Sequence, residues 1–430
     1  MFFNTAVLLA GGLALAGMCS AASLSSEQRD LNVKSFEVVW STVRDAHWDP
    51  NMGGLDWKAA HDEFLPKVQQ AETMDAARKV ITAMLERLGA SHYGIIPTEL
   101  YSSFDTGTPE PKGGSGSPGV ECTVIDGKAV VKEVLPESPA ASAGVRPGWI
   151  IQKIDNAEPQ KLIADVYESK AAHAELLAQR AIRWRLQGRV GEPVAVTFLN
   201  GTDKQIDLKL DRVRAPGTVT TFGLLPPMLV WLENKRLDGN IGYIRFNQFL
   251  DPQHIMKQFE DGVLSCLKCR GMIIDLRGNT GGIGVMAMGM AGFFTDRSDL
   301  KLGTMIMRQT KLKFIISPRP QTFTGPLAML VDGVSASTAE IFAGGLQDLK
   351  RARVFGTQSA GAALPSVIRQ LPNGDGFQYA QANYISEGGQ PLEGRGVTPD
   401  VKVTQSREAL LHGHDRVIDA AVEWIKGQHD

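Results

Sequence analysis

The residue of this chain best placed to do chemistry is a serine at the junction between an apolar run and a helical pattern. Ser337 lies within VDGVSASTAEIFAGGLQD, residues 331–348, directly after the apolar run 326–331. Apolar residues then recur at helical spacing, at Ile341, Phe342, Leu346 and Leu349. A strand-to-helix turn exposes a serine hydroxyl beside the amide groups of a helix N-terminus. The pattern therefore predicts that Ser337 is a nucleophile.

A serine hydroxyl attacks a substrate only when a neighbouring base takes its proton. No lysine occurs between residues 351 and 401, so a serine–lysine pair cannot be built from that region. Its arginines cannot act as bases at a workable pH because the guanidinium does not deprotonate. We therefore expect the base to come from another part of the chain.

A glycine-rich segment, DLRGNTGG at 275–282, follows the apolar residues 272–274. Its glycines allow a tight loop whose backbone N–H groups converge on an anion. It lacks the Gly-Lys-Ser/Thr of a P-loop, and its spacing differs from G-x-G-x-x-G. Together with Ser337, this loop predicts an oxyanion pocket for acyl transfer.

Composition and charge restrict the class of protein. The chain has 430 residues, 43% hydrophobic and 21% charged, which is ordinary for a globular protein with room for about three domains. A net charge of −2 provides no basic field and argues against nucleic-acid binding. No apolar run long enough for a membrane span follows the N-terminal segment.

The first residues have the pattern of a secretory leader. The apolar stretch AVLLAGGLALA at 6–16 precedes small residues around a cleavage site, so residues 1–22 are predicted to be a signal peptide. We expect an exported protein, periplasmic or extracellular. Cys266 and Cys269 form a single C-x-x-C without further Cys or His partners, and we interpret them as small buried hydrophobic residues, with a redox pair or a local disulfide as the alternatives.

The elements that must position these residues fall into three predicted domains. Residues 23–101 carry helical periodicity, and 102–118 are a Gly-, Ser- and Pro-rich linker. Residues 119–213 contain short strands with a helical stretch over 165–187. Strands and helices alternate over 219–430, which favours an α/β fold with a largely parallel central sheet. In such sheets the chemistry lies at the carboxyl ends of the strands, where both motifs occur.

The second domain resembles a PDZ domain. The segment SPAASAGVRPGW at 138–149 is similar to the signature of that family. PDZ domains bind extended peptides by adding a strand to a sheet edge. The resemblance implies that Gly119 and Val120 belong to the peptide-binding loop, although a structural spacer is the alternative.

The motifs DLRGNTGG, VDGVSASTAEIFAGGLQD and EGRGVTPD, in this order after a PDZ-like segment, resemble the C-terminal processing (tail-specific) serine peptidases and their relative, the tricorn core protease. In the processing branch the nucleophile is the middle serine of S-A-S, here Ser337. Its partner lysine aligns with 361–363, which here reads Gly-Ala-Ala.

The tricorn-like branch uses a histidine from a Ser-His pair after the N-terminal helices, supported by a distant glutamate. By this resemblance the relay is Glu393, Ser91, His92 and Ser337. The resemblance and the glycine-rich loop together predict an oxyanion pocket formed by the N–H groups of three residues, Gly281, Gly282 and Thr338. Glu340 and Asp348 belong to the family pattern but receive no chemical role.

The sequence therefore predicts an exported serine endopeptidase without metal or organic cofactor, acting on protein or peptide substrates. An inactive relative that binds peptides or other ligands is the first alternative, and an esterase or transferase that keeps the serine is the second. If the base is histidine, reaction of the serine should increase between about pH 6 and 8, where an ordinary imidazole loses its proton.

Overall fold

The computed structural model describes residues 24–102, 116–169 and 173–428. The predicted leader and most of the predicted linker lie outside these residues. The described chain is a mixed α/β structure of several domains, which confirms the predicted fold class. We refer to three parts as the N-terminal unit (24–102), the middle unit (116–214) and the C-terminal unit (218–428).

The N-terminal unit is helical and closes on one short strand. Its first three helices begin after side chains that cap them, because Ser25, Asp56 and Thr73 each accept the N–H three residues onward. Such caps typically contribute about 1 kcal/mol each. The elements are α1 (Ser26–Ala46), α2 (Trp57–Gln69), α3 (Met74–Glu86), β1 (Gly94–Ile96) and α4 (Glu99–Ser102).

The middle unit is a five-stranded antiparallel sheet with helices packed against it. Its elements are β2 (Gly116–Ser117), β3 (Val120–Ile125), β4 (Lys128–Val134), α5 (Pro139–Ser142), β5 (Ile150–Ile154), α6 (Pro159–Glu168), α7 (Ala174–Leu186), β6 (Pro193–Leu199), β7 (Gln205–Asp211) and β8 (Val213–Arg214). The order β3-β4-β5-β6-β7 makes β3 an edge strand. The helical stretch predicted for 165–187 is wrong as a single helix. It is two helices, since α7 begins only after His173, whose left-handed backbone (φ 61°) redirects the chain.

The C-terminal unit alternates strands and helices as predicted. Its elements are β9 (Thr218–Thr220), β10 (Met228–Val230), β11 (Leu232–Leu237), β12 (Ile241–Phe246), α8 (Pro252–Ser265), β13 (Gly271–Asp275), α9 (Gly284–Ala291), β14 (Lys301–Met307), β15 (Lys311–Ile315), β16 (Leu327–Val331), α10 (Thr338–Asp348), β17 (Arg353–Gly356), β18 (Ser366–Gln370), β19 (Gly376–Ala380), β20 (Ala382–Ser386), β21 (Val401–Lys402), α11 (Arg407–Leu411) and α12 (Arg416–Lys426).

The central sheet has the order β11-β12-β13-β16-β17-β21. Only the edge strand β11 is antiparallel to its neighbour, and the pairs from β12 onward are parallel. Buried on both faces, β13 and β16 consist of apolar residues until Asp275 ends the former. Since these two strands are direct neighbours, the loops at their carboxyl ends meet at one edge of the sheet. These loops carry the glycine-rich segment and Ser337.

The N-terminal unit joins the C-terminal unit through a second sheet. Strand β1 pairs with β19, which pairs with β18, and residues of both units share one hydrophobic core. The residues just before β1, Ser91 and His92, are thereby held against the C-terminal unit. This long-range pairing positions a histidine from the start of the chain beside motifs some 250 to 300 residues later.

Cys266 and Cys269 form a disulfide, with their Cα atoms 5.0 Å apart. The interpretation of these residues as unpaired small hydrophobic residues is therefore wrong. Helix α8 ends at Ser265, and the following turn, in which the Cys269 N–H donates to the Cys266 carbonyl at 2.9 Å, brings the two side chains together. Composition alone does not reveal this turn.

Candidate active site

Ser337 stands at the N-cap of α10 with φ 56° and ψ −122°, a conformation that is rare for a residue with a side chain. Such strain persists only where surrounding contacts impose it. Here the Ser337 N–H donates to the Ala362 carbonyl at 2.8 Å and to Glu340 Oε2 at 2.9 Å. Ser337 is 1% exposed. The serine is thus fixed at a strained strand-to-helix turn, the geometry expected of a nucleophile.

Glu340, for which sequence reasoning found no role, organises this turn. Its Oε1 accepts the Ser359 hydroxyl at 2.6 Å and the Gly361 N–H at 2.7 Å, and its Oε2 accepts the Ala362 N–H at 3.0 Å as well as that of Ser337. Burial raises the pKa of Glu340 to about 7, and the four donated bonds oppose that change. One fully buried carboxyl group therefore connects the nucleophile to the loop 359–362.

The two motif loops are held together by side-chain hydrogen bonds to backbone. Asp332 Oδ1 accepts the N–H groups of Gly278, Val334 and Ser335 at 3.0 to 3.1 Å. The Ser335 hydroxyl donates to the Leu276 carbonyl at 2.8 Å. The glycine-rich loop and the serine turn consequently form one rigid assembly.

Gly281 lies directly beside the nucleophile. A Cβ on this residue would lie 2.6 Å from Ser337 Cβ and 2.8 Å from the Thr338 nitrogen, and its φ is +92°. Only glycine combines that backbone conformation with such an approach. The Gly281 N–H, however, donates to Asn279 Oδ1 at 2.9 Å. The prediction that this amide faces the oxyanion is therefore corrected, because a donor already bound to Asn279 is not available to substrate.

Gly282 and Thr338 retain geometry suited to an oxyanion pocket. In the bridge between Gly282 and Phe249, the Phe249 N–H donates to the Gly281 carbonyl and the Ile283 N–H donates to the Phe249 carbonyl. The Gly282 N–H takes no part in these two bonds. Thr338 is the first residue of α10, and its hydroxyl donates to the Gly282 carbonyl at 2.8 Å, which joins the two residues. Amide groups in the first turn of a helix have no partner within the helix and attract negative charge.

The structure brings Ser91, His92 and Glu393 into one chain of hydrogen bonds. Glu393 accepts the Ser91 N–H at 2.7 Å and the Ser91 hydroxyl at 2.8 Å through its two oxygens. Ser91 Oγ lies 2.7 Å from His92 Nδ1. A hydroxyl has one proton to donate, so if Ser91 donates to Glu393, Nδ1 must carry the proton shared with Ser91. The neutral imidazole then has its lone pair on Nε2.

His92 Nε2 is buried and has no hydrogen-bond partner. The structure therefore contains no hydrogen bond between this atom and Ser337 Oγ. Burial, reinforced by the charges of His173 and Arg180, lowers the pKa of His92 to about 3. At neutral pH the imidazole of this conformation is therefore uncharged. The expectation that its proton is lost between pH 6 and 8 is wrong for this conformation.

Helix α7 of the middle unit lies over these residues. His173 and Arg180 act electrostatically on His92, and His173 Nδ1 lies 2.6 Å from the Ala360 carbonyl. Leu176, between them on the same helical face, packs against apolar residues around Ser337. Arg180 Nη1 is buried without a partner. Helix α7 thus places an apolar side chain beside Ser337 and two basic side chains near His92.

The segment aligned with the family lysine has other partners in this chain. The Ala362 carbonyl accepts the Ser337 N–H, and the Ala363 N–H donates to Glu393 Oε2 at 2.9 Å. The backbone of this segment thus joins the serine turn to the Glu393 relay. Lys132 is a buried lysine elsewhere in the structure. Burial lowers its pKa, and the charges that act on it are those of Arg277, Arg245 and Asp275.

A buried ion network, missed by sequence reasoning, supports the glycine-rich loop. Arg277 donates through Nε and Nη2 to Asp275 at 2.6 to 3.1 Å and pairs with Asp415, the N-cap of α12. The Tyr243 hydroxyl donates to Asp275 at 2.8 Å. The neighbouring arginine holds the pKa of Asp275 well below its usual value despite burial. The network ties the loop to the last helix, and the D-x-R spacing could have indicated it.

Gly119 and Val120 lie at the start of the edge strand β3. The Gly119 N–H donates to Ser117 Oγ at 3.0 Å, its carbonyl accepts the Leu135 N–H at 2.9 Å, and Val120 pairs with Val134 on β4. The free edge of β3 lies beside α7, where the Gln179 amide lies 3.4 Å from Thr123 Oγ1. These two residues thus lie at the start of the strand that α7 contacts.

Over 24–102, 116–169 and 173–428, no helix is both long and apolar enough to cross a membrane. Within the same part of the chain, no group of three His, Cys, Asp or Glu side chains is arranged to hold a metal ion.

Comparison with known proteins identifies two segments. Residues 240–403 match the model of peptidase family S41, and residues 34–86 match the tricorn protease C1 domain. A carboxy-terminal-processing protease of Bartonella bacilliformis is 29% identical over 310 residues, which cover 71% of this chain and 65% of that protein. The chain thus spans slightly less than two thirds of that relative's length.

Solved structures share the fold at low sequence identity. The photosystem II D1 C-terminal processing protease superposes with a TM-score of 0.56 at 22% identity, covering 92% of this chain and 99% of its own. The tricorn protease superposes with a TM-score of 0.52 at 17% identity, covering 94% of this chain and 37% of its own. Together with the family matches, these similarities confirm the resemblance drawn from the motifs.

Proposed function

We propose that this chain, which carries a peptidase family S41 domain over residues 240–403, is an exported serine endopeptidase that cleaves peptide bonds through an acyl-enzyme. The observation that carries the proposal is the hydrogen-bonded chain from Glu393 through Ser91 to His92, which leaves the lone pair of His92 Nε2 directed away from Ser91. A base held in one tautomer beside a strained serine turn is the arrangement that serine acyl transfer requires.

The first half of the reaction forms the acyl-enzyme. Ser337 Oγ attacks the scissile carbonyl carbon while His92 Nε2 takes the hydroxyl proton. The carbonyl oxygen gains negative charge and is bound by the N–H groups of Gly282 and Thr338. Collapse of the tetrahedral intermediate breaks the C–N bond, and the leaving amine receives the proton from His92 Nε2. The Ser337 ester remains.

The second half repeats these roles with water. Water attacks the ester carbonyl, His92 Nε2 accepts its proton, and the same two amides bind the oxyanion. The proton then passes to Ser337 Oγ as the ester bond breaks, which releases the new carboxyl terminus. Ser91 and Glu393 stay hydrogen-bonded throughout, since their part is to orient His92 and to stabilise the imidazolium that forms transiently.

The substrates we propose are protein or peptide segments, including C-terminal ones. The relatives named as carboxy-terminal-processing proteases support this class. Export to the periplasm or the cell exterior is supported by the apolar leader pattern at 6–16. No metal or organic cofactor takes part in the steps above.

A catalytically inactive peptide- or ligand-binding relative is the second candidate. Two observations favour it: His92 Nε2 has no hydrogen bond to Ser337, and both residues are buried, with Leu176 of α7 packed beside Ala336. Cleavage of an unfolded protein such as reduced casein separates the two functions. We expect Ser337→Ala and His92→Ala each to abolish cleavage, with His254→Ala, an exposed histidine on α8, as control. Cleavage that survives both substitutions would contradict the proposed mechanism. A wild-type chain that binds unfolded casein without cutting it would support the binding protein.

A further inference from the structure

A small apolar cluster, separate from the main cores, adjoins the nucleophile. Its buried members are Leu176, Val334, Ala336 and Ala362, and Ala360 packs against it. Leu176 comes from α7 of the middle unit, whereas the other residues line the C-terminal unit. We call the space that Leu176 fills the leucine pocket, lined by Val334, Ala336, Ala360 and Ala362.

The leucine pocket is placed where a substrate side chain must go. Ala336 directly precedes Ser337, and the Ala362 carbonyl accepts the Ser337 N–H at 2.8 Å. During acyl transfer the scissile carbonyl carbon lies about 3 Å from the serine oxygen. The residue that supplies this carbonyl, here called the acyl residue, must therefore place its side chain close to Ser337, and the space that Leu176 fills adjoins that serine. Gly281 occupies the other flank, with no room for a Cβ.

The pocket lining selects by size and polarity. The four residues that contact Leu176 in this cluster are alanine or valine, and none of them can pair with a charge. Burial of an unpaired charged group in such a site is strongly unfavourable. In the closed structure the pocket holds one leucine side chain, and Leu176 is 0% exposed there. The occupant thus has the shape and chemistry that the pocket accepts.

We propose that the leucine pocket is the specificity pocket of the enzyme, that Leu176 occupies it in place of substrate, and that the acyl residue of substrates is an aliphatic side chain of leucine size. The inference rests on the proposed function and adds the substrate class to it. When α7 leaves, the pocket becomes available to substrate.

Protection of Ser337 from a fluorophosphonate tests the pocket on the full chain. The probes are tripeptide boronates that differ only in the acyl residue: leucine, alanine or lysine. We expect the leucine boronate to protect Ser337 at a concentration about tenfold or more below that of the lysine boronate. Equal protection by the two boronates would overturn the inference about the pocket. The proposed function would still be supported, because Ser337 would still react with the fluorophosphonate. If fluorophosphonate labels Ser337 in no variant, the proposed function fails and the pocket fails with it.

Two variants separate the pocket from general structural damage. Val334→Phe should fill the pocket and weaken the leucine boronate about tenfold, while the alanine boronate changes by less than about threefold. Leu176→Ala should increase the rate of Ser337 labelling severalfold, because it removes the side chain that competes for the pocket. Leu177→Ala, one position along α7 and outside the cluster, is the matched control and should leave the rate unchanged. Equal loss of both boronates, or equal effects of the two leucine variants, would contradict the inference.

Discussion

At the scale of single residues, Glu340 is the group whose protonation should control the serine turn. Both of its oxygens accept two hydrogen bonds, so only the ionised carboxylate can keep all four. A proton gained as the pH falls must displace one donor and loosen the turn. Since the pKa of His92 is lowered to about 3 and that of Glu340 is raised to about 7, Glu340 titrates in the neutral range and His92 does not.

We predict that fluorophosphonate labelling of Ser337 decreases as the pH falls from 8 to 6, and that Glu340→Gln removes this step. In Glu340→Gln, Ser337 should also be labelled more slowly at pH 8, because the NH₂ group of the glutamine faces a donor and cannot accept its hydrogen bond. Glu175, whose pKa is also raised to about 7, is replaced by Gln in both proteins so that it does not contribute. A step near pH 7 that persists in Glu340→Gln would rule out this assignment.

The approach of Gly281 to Ser337 leads to a second residue-scale prediction. Gly281→Ala places a Cβ within 2.8 Å of the Ala336 carbonyl and the Thr338 nitrogen, which must displace the serine turn, so Ser337 labelling should slow by about 100-fold or more. Gly278→Ala is a matched control in the same loop: its φ is also positive (+77°), but nothing lies within 4 Å of the added Cβ. The control should lose about 1 kcal/mol of unfolding free energy and stay reactive. Similar labelling rates for the two variants would contradict the proposed approach.

Among single residues, the sequence predicted those features that a short local motif defines. Ser337 and the glycine-rich loop could be predicted because one turn defines each. The occupied amide of Gly281 could not, because it depends on where the Asn279 side chain points. The low pKa of His92 likewise follows from burial in the assembled fold and from the charges of His173 and Arg180, which no local pattern encodes.

At the scale of elements, the disulfide closes the turn between α8 and β13. Cys266 and Cys269 are three positions apart, and a cross-link of this length removes chain entropy worth about 2 kcal/mol from the unfolded state. We predict that reductant lowers the unfolding free energy in urea by about this amount. The doubly substituted Cys266→Ala, Cys269→Ala chain should be insensitive to reductant. An unchanged midpoint for the wild type would mean that the pair does not stabilise the fold.

Element prediction succeeded for the central sheet and failed at helix junctions. Strands β13 and β16 are continuous apolar runs, which is the pattern of strands buried on both faces. The alternation of strands and helices predicts that such strands are parallel neighbours. Helix α6 ends at Glu168 and α7 begins at Ala174 after the left-handed residue His173, and periodicity does not reveal this division.

At the scale of the whole molecule, the middle unit is held in a closed position from two sides. Leu176 is buried beside Ser337, and Leu410 of α11 packs on Val130 and Ile150 of the middle sheet. The carboxyl of Glu175 lies against Gly333, with its oxygen 2.2 Å from where a Cβ would be. These contacts join residues far apart in sequence, so the closed arrangement could not have been predicted from local pattern.

Glu175 should make closure depend on pH. It faces Asp332 and Gly333 after β16, Lys132 on β4, Tyr167 on α6 and Gln179 on its own helix, and burial with the Asp332 charge raises its pKa to about 7. In the closed state the Glu175 carboxyl therefore keeps its proton up to about pH 7, whereas in an open state it loses the proton near the ordinary pKa of a glutamate. Closure should be most stable at pH values below the ordinary pKa of a glutamate, and it should become less stable as the pH rises towards about 7.

We predict that hydrogen-exchange protection of α7, corrected for intrinsic rates, falls as the pH rises from 5 to 7, by up to about tenfold per pH unit. Glu175→Gln should remove most of this dependence, whereas Glu168→Gln on the neighbouring helix should keep it. The same pH dependence in all three proteins would exclude Glu175 as its source.

The proposed reaction requires His92 to take the proton of Ser337. The most direct measurement is the rate of fluorophosphonate labelling, mapped by mass spectrometry to Ser337, for the wild type, His92→Ala and the control His254→Ala. We expect His92→Ala to label at least about 100-fold more slowly, and the control to label at the wild-type rate. Labelling of Ser337 in His92→Ala at the wild-type rate would show that another group is the base and would contradict the account.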